Sequence, residues 1–113
     1  MKKFEFRPWG WYLTLSEDKG DHKVKEIYVK PNHRFSLQYH NDREEYWTVL
    51  EGTGTITQGE EERPIGPGDC AYIPREQIHR LHGGDEGIYF IEVQRGICKE
   101  DDIVRLKDDY GRI

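Results

Sequence analysis

Short runs of Val, Ile, Tyr, Phe and Thr recur along this chain, each closed by Gly, Pro, Asn or Asp. Apolar residues at the three- and four-residue steps of a helix are almost absent, so the apolar side chains must be hidden on sheet faces. Strands are expected at 11–15, 23–29, 35–40, 46–50, 54–57, 70–73, 79–81 and 89–93. Turn residues stand between them at Lys19-Gly20-Asp21, Lys30-Pro31-Asn32, Asn41-Asp42-Arg43, Gln58-Gly59-Glu60, Gly66-Pro67-Gly68-Asp69 and Gly83-Gly84-Asp85. Short strands at such intervals, with no linker among them, define an all-β sandwich or barrel. The stretch 99–113 mixes charge with Ile103, Val104, Leu106 and Tyr110, and is expected to pack on that body as a strand or a short helix.

A chain of 113 residues supports one hydrophobic core and therefore one domain. Aromatic residues make up 12% of it and supply enough buried area to offset a charged fraction of 35%, which argues against disorder. The formal net charge of −5 gives no long-range attraction to nucleic acids or anionic membranes, so neither is an expected partner. With no long apolar run, and with Met1-Lys2-Lys3-Phe4-Glu5-Phe6 at the start, a cytoplasmic protein is expected. Cys70 and Cys98 are too isolated for a disulfide framework and read as reduced, packed thiols. Trp9, Trp11 and Trp47 read as core packing, and open sheet edges suggest a homodimer.

Chemistry concentrates in two segments. In a strand at 35–40, Phe35, Leu37 and Tyr39 share one face, and Arg34, Ser36, Gln38 and His40 the other. A turn through 41–43 would bring Glu45 back towards Gln38 and His40, and His79 could join from a distant strand. Oxygen and nitrogen donors without thiolate suit a first-row divalent ion. A polar His on a strand is more often solvated or hydrogen-bonded than metal-bound, and Gln is an uncommon ligand, so spacing alone leaves the choice open.

These residues resemble a known family. The second cupin motif, G-x5-P-x-G-x2-H, is approached by Gly68, Pro74 and His79, with Glu76 at its middle Gly; the first is approached by Gln38-Tyr39-His40, Glu45 and Gly52. Together with Arg7-Pro8-Trp9-Gly10, Val29-Lys30-Pro31, Glu45-x-Trp47, His79-Arg80-Leu81, Glu92-Val93-Gln94 and the stretch 100–105, the chain is similar over almost its whole length to the C-terminal domain of type II phosphomannose isomerase. The resemblance implies one cupin domain over 1–113, a double-stranded β-helix or jelly-roll barrel, with 99–113 packed on it. It also implies Gln38, His40, Glu45 and His79 as ligands of a divalent ion such as Zn, Mn, Fe, Co or Ni. Asn41 and Asp42 stand where the family often has His, and Glu44 where a small residue is common. That domain commonly follows a mannose-1-phosphate guanylyltransferase domain; this sequence has no Gly-rich phosphate loop, and guanylyl transfer is not expected of it.

The activity implied is interconversion of mannose 6-phosphate and fructose 6-phosphate, the metal polarising the sugar oxygens. Lys25 and Glu92 can face inward from strands and are candidate bases, with Arg105 a further catalytic candidate. Arg34, Arg80 and Arg112 are candidates for the sugar phosphate, Arg34 because it shares strand parity with Gln38 and His40. Two other readings are a metal-dependent sugar-phosphate-binding cupin without turnover, and an iron-dependent oxygenase built on two His and a carboxylate.

Overall fold

The computed structural model describes residues 3–17 and 21–113. It contains nine strands and, among the described residues, no helix: β1 (Lys3–Arg7), β2 (Gly10–Glu17), β3 (His22–Val29), β4 (Leu37–Tyr39), β5 (Arg43–Gln58), β6 (Glu61–Ile65), β7 (Cys70–Ile73), β8 (His79–Gly96) and β9 (Val104–Lys107). All pairings are antiparallel, and two long strands shape the fold. The first half of β5 lies between β7 and the second half of β8, which pairs with β3 and is followed across the sheet by β2 and β1. The second half of β5 lies between β6 and the first half of β8, followed by β4 and β9. Two curled sheets thus share β5 and β8, the jelly-roll barrel of a cupin.

The strands expected at 46–50 and 54–57 are halves of β5, and those at 79–81 and 89–93 are halves of β8. Gly83-Gly84-Asp85 accordingly runs within β8 instead of turning. Glycine permits the crossing: Gly52 has φ +79°, and a Cβ there would lie 2.1 Å from the Gly87 carbonyl oxygen. Pairing slips at this point, between Val49 and Glu51 and again between Gly52 and Gly54. The edge strands β1 and β6 were not expected; β6 carries Glu61, Glu62, Arg63 and Pro64, which hide its strand character. The C-terminal stretch forms a strand, β9, and no helix. The turn expected at Lys19-Gly20-Asp21 lies, apart from Asp21, outside the described residues.

Alternation on the strands grades the barrel interior from apolar to charged. Along β3 the inward side chains are Lys23, Lys25, Ile27 and Val29; along the first part of β5 they are Arg43, Glu45, Trp47 and Val49. On β8, Ile88, Phe90, Glu92 and Gln94 follow the same rule, and register places Lys25 opposite Glu92 and Ile27 opposite Phe90. One end is therefore closed by Val29, Val49, Ile56, Leu81 and Ile88, and the other is polar. Trp9 and Trp47 belong to the core as expected. Trp11 does not: it stacks on Phe4 and packs near Tyr28 and Tyr89 on the outer face of the sheet. Both cysteines are free, with Cys98 buried and Cys70 exposed rather than packed.

Candidate metal centre and its cavity

The polar end of the barrel holds His40, Glu45 and His79, each 3% exposed or less. Their ligating atoms all lie within 4.8 Å of one another. Glu45 Oε2 is 3.3 Å from His40 Nε2, and Glu45 Oε1 is 3.8 Å from His79 Nε2. His40 follows β4, Glu45 lies near the start of β5, and His79 opens β8 directly opposite Gln38.

Backbone carbonyls aim both imidazoles. His40 Nδ1 donates to the Asp102 carbonyl at 2.7 Å, and His79 Nδ1 donates to the Gln77 carbonyl at 2.9 Å. Each ring then turns its Nε2 towards the cluster, the arrangement by which outer partners fix the orientation of metal-binding histidines. His79 Nε2 is buried without a hydrogen-bond partner, an orphan that costs free energy unless something accepts its lone pair or donates to it. Burial lowers both imidazole pKa values, that of His40 to about 4, so at neutral pH both rings are in the uncharged form that binds metals. Burial also pushes the Glu45 carboxyl upward, but His40, Arg43 and His79 outweigh it and hold Glu45 well below the usual carboxylate range. The donor set fits a divalent ion.

Gln38 adjoins the cluster. Its amide nitrogen is 3.3 Å from His40 Nε2, and its amide oxygen accepts from Ser36 Oγ at 2.6 Å. The two ends of an amide are equal in shape, so a half-turn would face the oxygen to the cluster while the nitrogen donates to Ser36. Glu44 turns outward, where it accepts from Tyr72 and Tyr46 and approaches Arg95. Glu76 holds φ +67° at the motif position usually occupied by Gly, and its N–H donates to the His40 carbonyl at 2.8 Å.

A cavity of about 130 Å³ opens beside the cluster. Gln38, His40 and Glu45 line it, and the fully buried His79 backs the cluster without lining the cavity. Five cationic side chains reach it, Arg7, Lys25, Arg43, Arg105 and Arg112, against the carboxyl groups of Glu45, Glu92 and Glu100. Burial and the neighbouring Glu45 charge push Glu92 up to about 8, so Glu92 is protonated at neutral pH and the balance is cationic. Trp47 Nε1 donates to both Glu45 and Glu92, and Gln94 donates to Glu92 at 2.7 Å. Lys25 pairs with Glu100 and lies 3.9 Å from the Tyr12 ring centroid. Arg105 Nε is buried without a hydrogen-bond partner, whereas Arg112 is held by Asp108 through both guanidinium arms.

Of the expected site residues, the structure therefore brings Lys25, Glu92, Arg105 and Arg112 to the same cavity as the donor cluster. Arg34 and Arg80 are placed elsewhere. Both line a separate depression with His82 and Lys107; Arg34 forms a two-armed pair with Asp109, and Arg80 Nε donates to the Phe35 carbonyl. Parity failed for Arg34 because β4 begins only at Leu37, and Arg34 meets β8 through an isolated bridge to His82. Arg7, Tyr12, Arg43 and Glu100 also line the cavity and were not among the expected site residues. Arg43 was findable, since it stands two residues before Glu45 on one strand and must share its face; the others depend on distant packing.

The family model for the mannose-6-phosphate isomerase C-terminal region matches residues 1–108. The xanthan biosynthesis protein XanB of Xanthomonas campestris is 44% identical over 95% of this chain and 23% of its own length. The mannose-1-phosphate guanylyltransferase ManC of Salmonella typhimurium is 39% identical over 100% of this chain and 24% of its own length. The chain thus spans about a quarter of the curated relatives it matches. Oxalate decarboxylase from Bacillus subtilis superposes with a TM-score of 0.81 at 18% identity, covering 93% of this chain and 30% of that one, a likeness of fold alone. No helix among the described residues is long and apolar enough to cross a membrane.

The expected interconversion of mannose 6-phosphate and fructose 6-phosphate is overturned by these relatives. Guanylyl transfer to mannose 1-phosphate, the reaction for which ManC is named, joins a nucleotide to a phosphate and moves no carbonyl. What the match over residues 1–108 and the jelly-roll barrel do establish is lineage: the chain belongs to the mannose-6-phosphate isomerase C-terminal family of cupins.

Proposed function

We propose that this chain is a divalent-metal-binding cupin module of sugar-nucleotide biosynthesis, which holds a phosphorylated mannose in the cavity beside His40, Glu45 and His79. The observation that carries the reading is the donor cluster itself, with both imidazoles aimed by backbone carbonyls and opening onto a cavity with five cations. Gln38, His40, Glu45 and His79 would hold the ion, which would supply a Lewis-acidic centre for ligand oxygens. Arg105 and Arg112, with Arg7, supply guanidinium donors suited to a phosphate, and Lys25 adds a fourth positive charge. Protonated Glu92 offers a neutral carboxyl beside the charged Glu45 and so limits repulsion of an anion. The ligand class follows the guanylyltransferase relatives; the transfer step itself is not proposed for a stretch that matches a quarter of their length.

The test is calorimetric. Metal-free protein is titrated with Zn, Mn, Co, Ni or Fe(II), and the loaded form with mannose 1-phosphate and then inorganic phosphate. One ion per chain, lost in His79→Ala, and tighter binding of the sugar phosphate than of phosphate are expected. Metal binding indifferent to His79, or no binding of either anion, would refute the proposal.

A further inference from the structure

The buried guanidinium of Arg43 sits where the donor cluster is open. Its Nε donates to Glu45 Oε2 at 3.0 Å, its Nη1 donates to the Lys99 carbonyl at 3.1 Å, and its Nη2 lies 3.3 Å from His40 Nε2. The His40 Nδ1 proton is committed to the Asp102 carbonyl, so Nε2 presents the single lone pair of a neutral ring. That lone pair can accept from Arg43 or bind an ion, and it cannot do both.

We propose that Arg43 is an internal competitor of the metal ion, occupying the His40 and Glu45 acceptor atoms in the metal-free protein and weakening the affinity of the site. This inference rests on the metal-binding reading above. Three features support it. Arg43 is 6% exposed, so its charge is poorly screened by water and opposes an incoming cation at close range. It bonds the one carboxylate of the cluster, whose negative charge an ion would otherwise have to itself. It also lines the cavity, so a guanidinium displaced from the cluster has ligand space to enter. Arg43 is in this sense a positioning residue: it acts on the ion through His40 and Glu45. The consequence is a site that binds its metal only moderately and gains an anion donor when it does.

Zn(II) affinity is measured by chelator competition for wild type, Arg43→Met, Arg43→Lys and His79→Ala, with near-ultraviolet circular dichroism reporting the fold. Arg43→Met is expected to bind at least tenfold more tightly, with Arg43→Lys between it and wild type because a lysine keeps the charge and loses the fork. In the metal-free protein, the His40 Nε2 resonance is expected to shift in Arg43→Met, as the lone pair loses its charged neighbour and keeps the Gln38 amide. A folded Arg43→Met with unchanged or weaker affinity overturns the inference, and if that variant does not fold, unchanged affinity in Arg43→Lys does so. Binding that depends on His79 but not on Arg43 overturns this role alone. Absence of His79-dependent binding in wild type and in both Arg43 variants overturns the metal-binding reading and this inference together.

Discussion

Glu76→Gly should stabilise the protein, although it removes an entire side chain. Glu76 holds φ +67°, a conformation that brings the Cβ of an L-residue against its own backbone at a cost of about 1–2 kcal/mol. Glycine relieves that cost and adds back about 0.5–1 kcal/mol through the greater freedom of the unfolded chain. The side chain is exposed, and the N–H that bonds the His40 carbonyl belongs to the backbone, so neither burial nor that bond is lost. The net gain is about 1 kcal/mol, or about 4 °C in melting temperature for a domain of this size. Thermal unfolding followed by circular dichroism, on metal-free protein at one pH, measures it. A melting temperature equal to or below that of wild type would show that Glu76 makes a compensating interaction and that the backbone argument is wrong.

Two further predictions concern pH. Glu92 is raised from 4.5 to about 8 by burial and by Glu45, so the folded state keeps a proton that the unfolded chain has already released. Its contribution is complete below pH 4.5 and is lost as the pH rises to about 8; relative to Glu92→Gln, metal-free wild type should lose roughly 1 kcal/mol per pH unit across that window in urea titrations. A constant difference between the two proteins would remove the protonated carboxyl from the account. Glu100 shows the opposite sign: burial pushes it up, but Lys25 and Lys23 outweigh burial and hold it at about 2. Its contribution is present above pH 4.5 and lost as the pH falls through 2, so Glu100→Gln should flatten the acid limb of the stability curve, and an unchanged limb would count against the Lys23–Glu100–Lys25 bridge.

The period-two pattern was enough to show that Gln38 and His40 share a face, because Ser36, Gln38 and His40 do form a connected row beside β4. It was enough also for Lys25 and Glu92, which sit inward and opposite one another on β3 and β8. It could not show that β5 and β8 run on through their glycines, since a glycine that permits a crossing and a glycine that ends a strand look alike in one dimension. Nor could it place Arg105. Arg80 adjoins His79 on β8 and meets the separate depression, whereas Arg105 reaches the cavity because β9 sets it opposite Gln38 on β4, a register that one dimension does not show. Edge strands were missed for a related reason: with one side unpaired and one face in water, Lys3–Arg7 and Glu61–Ile65 need few of the residues that mark a central strand.

The carbonyl that aims His40 belongs to Asp102, and the Asp102 carboxylate in turn accepts the backbone N–H groups of Asn41 and Asp42 at 3.0 and 2.9 Å. One residue therefore clasps three consecutive positions some sixty residues earlier in the chain. During synthesis His40, Glu45 and His79 all emerge before their clasp, and for that interval the first imidazole is free to rotate. The orientation of His40 thus depends on a segment made late in the chain. Amide exchange at Asn41 and Asp42 reads that clasp directly: those two protons are shielded while Asp102 holds them and escape when it lets go, so their protection tracks the hold on His40.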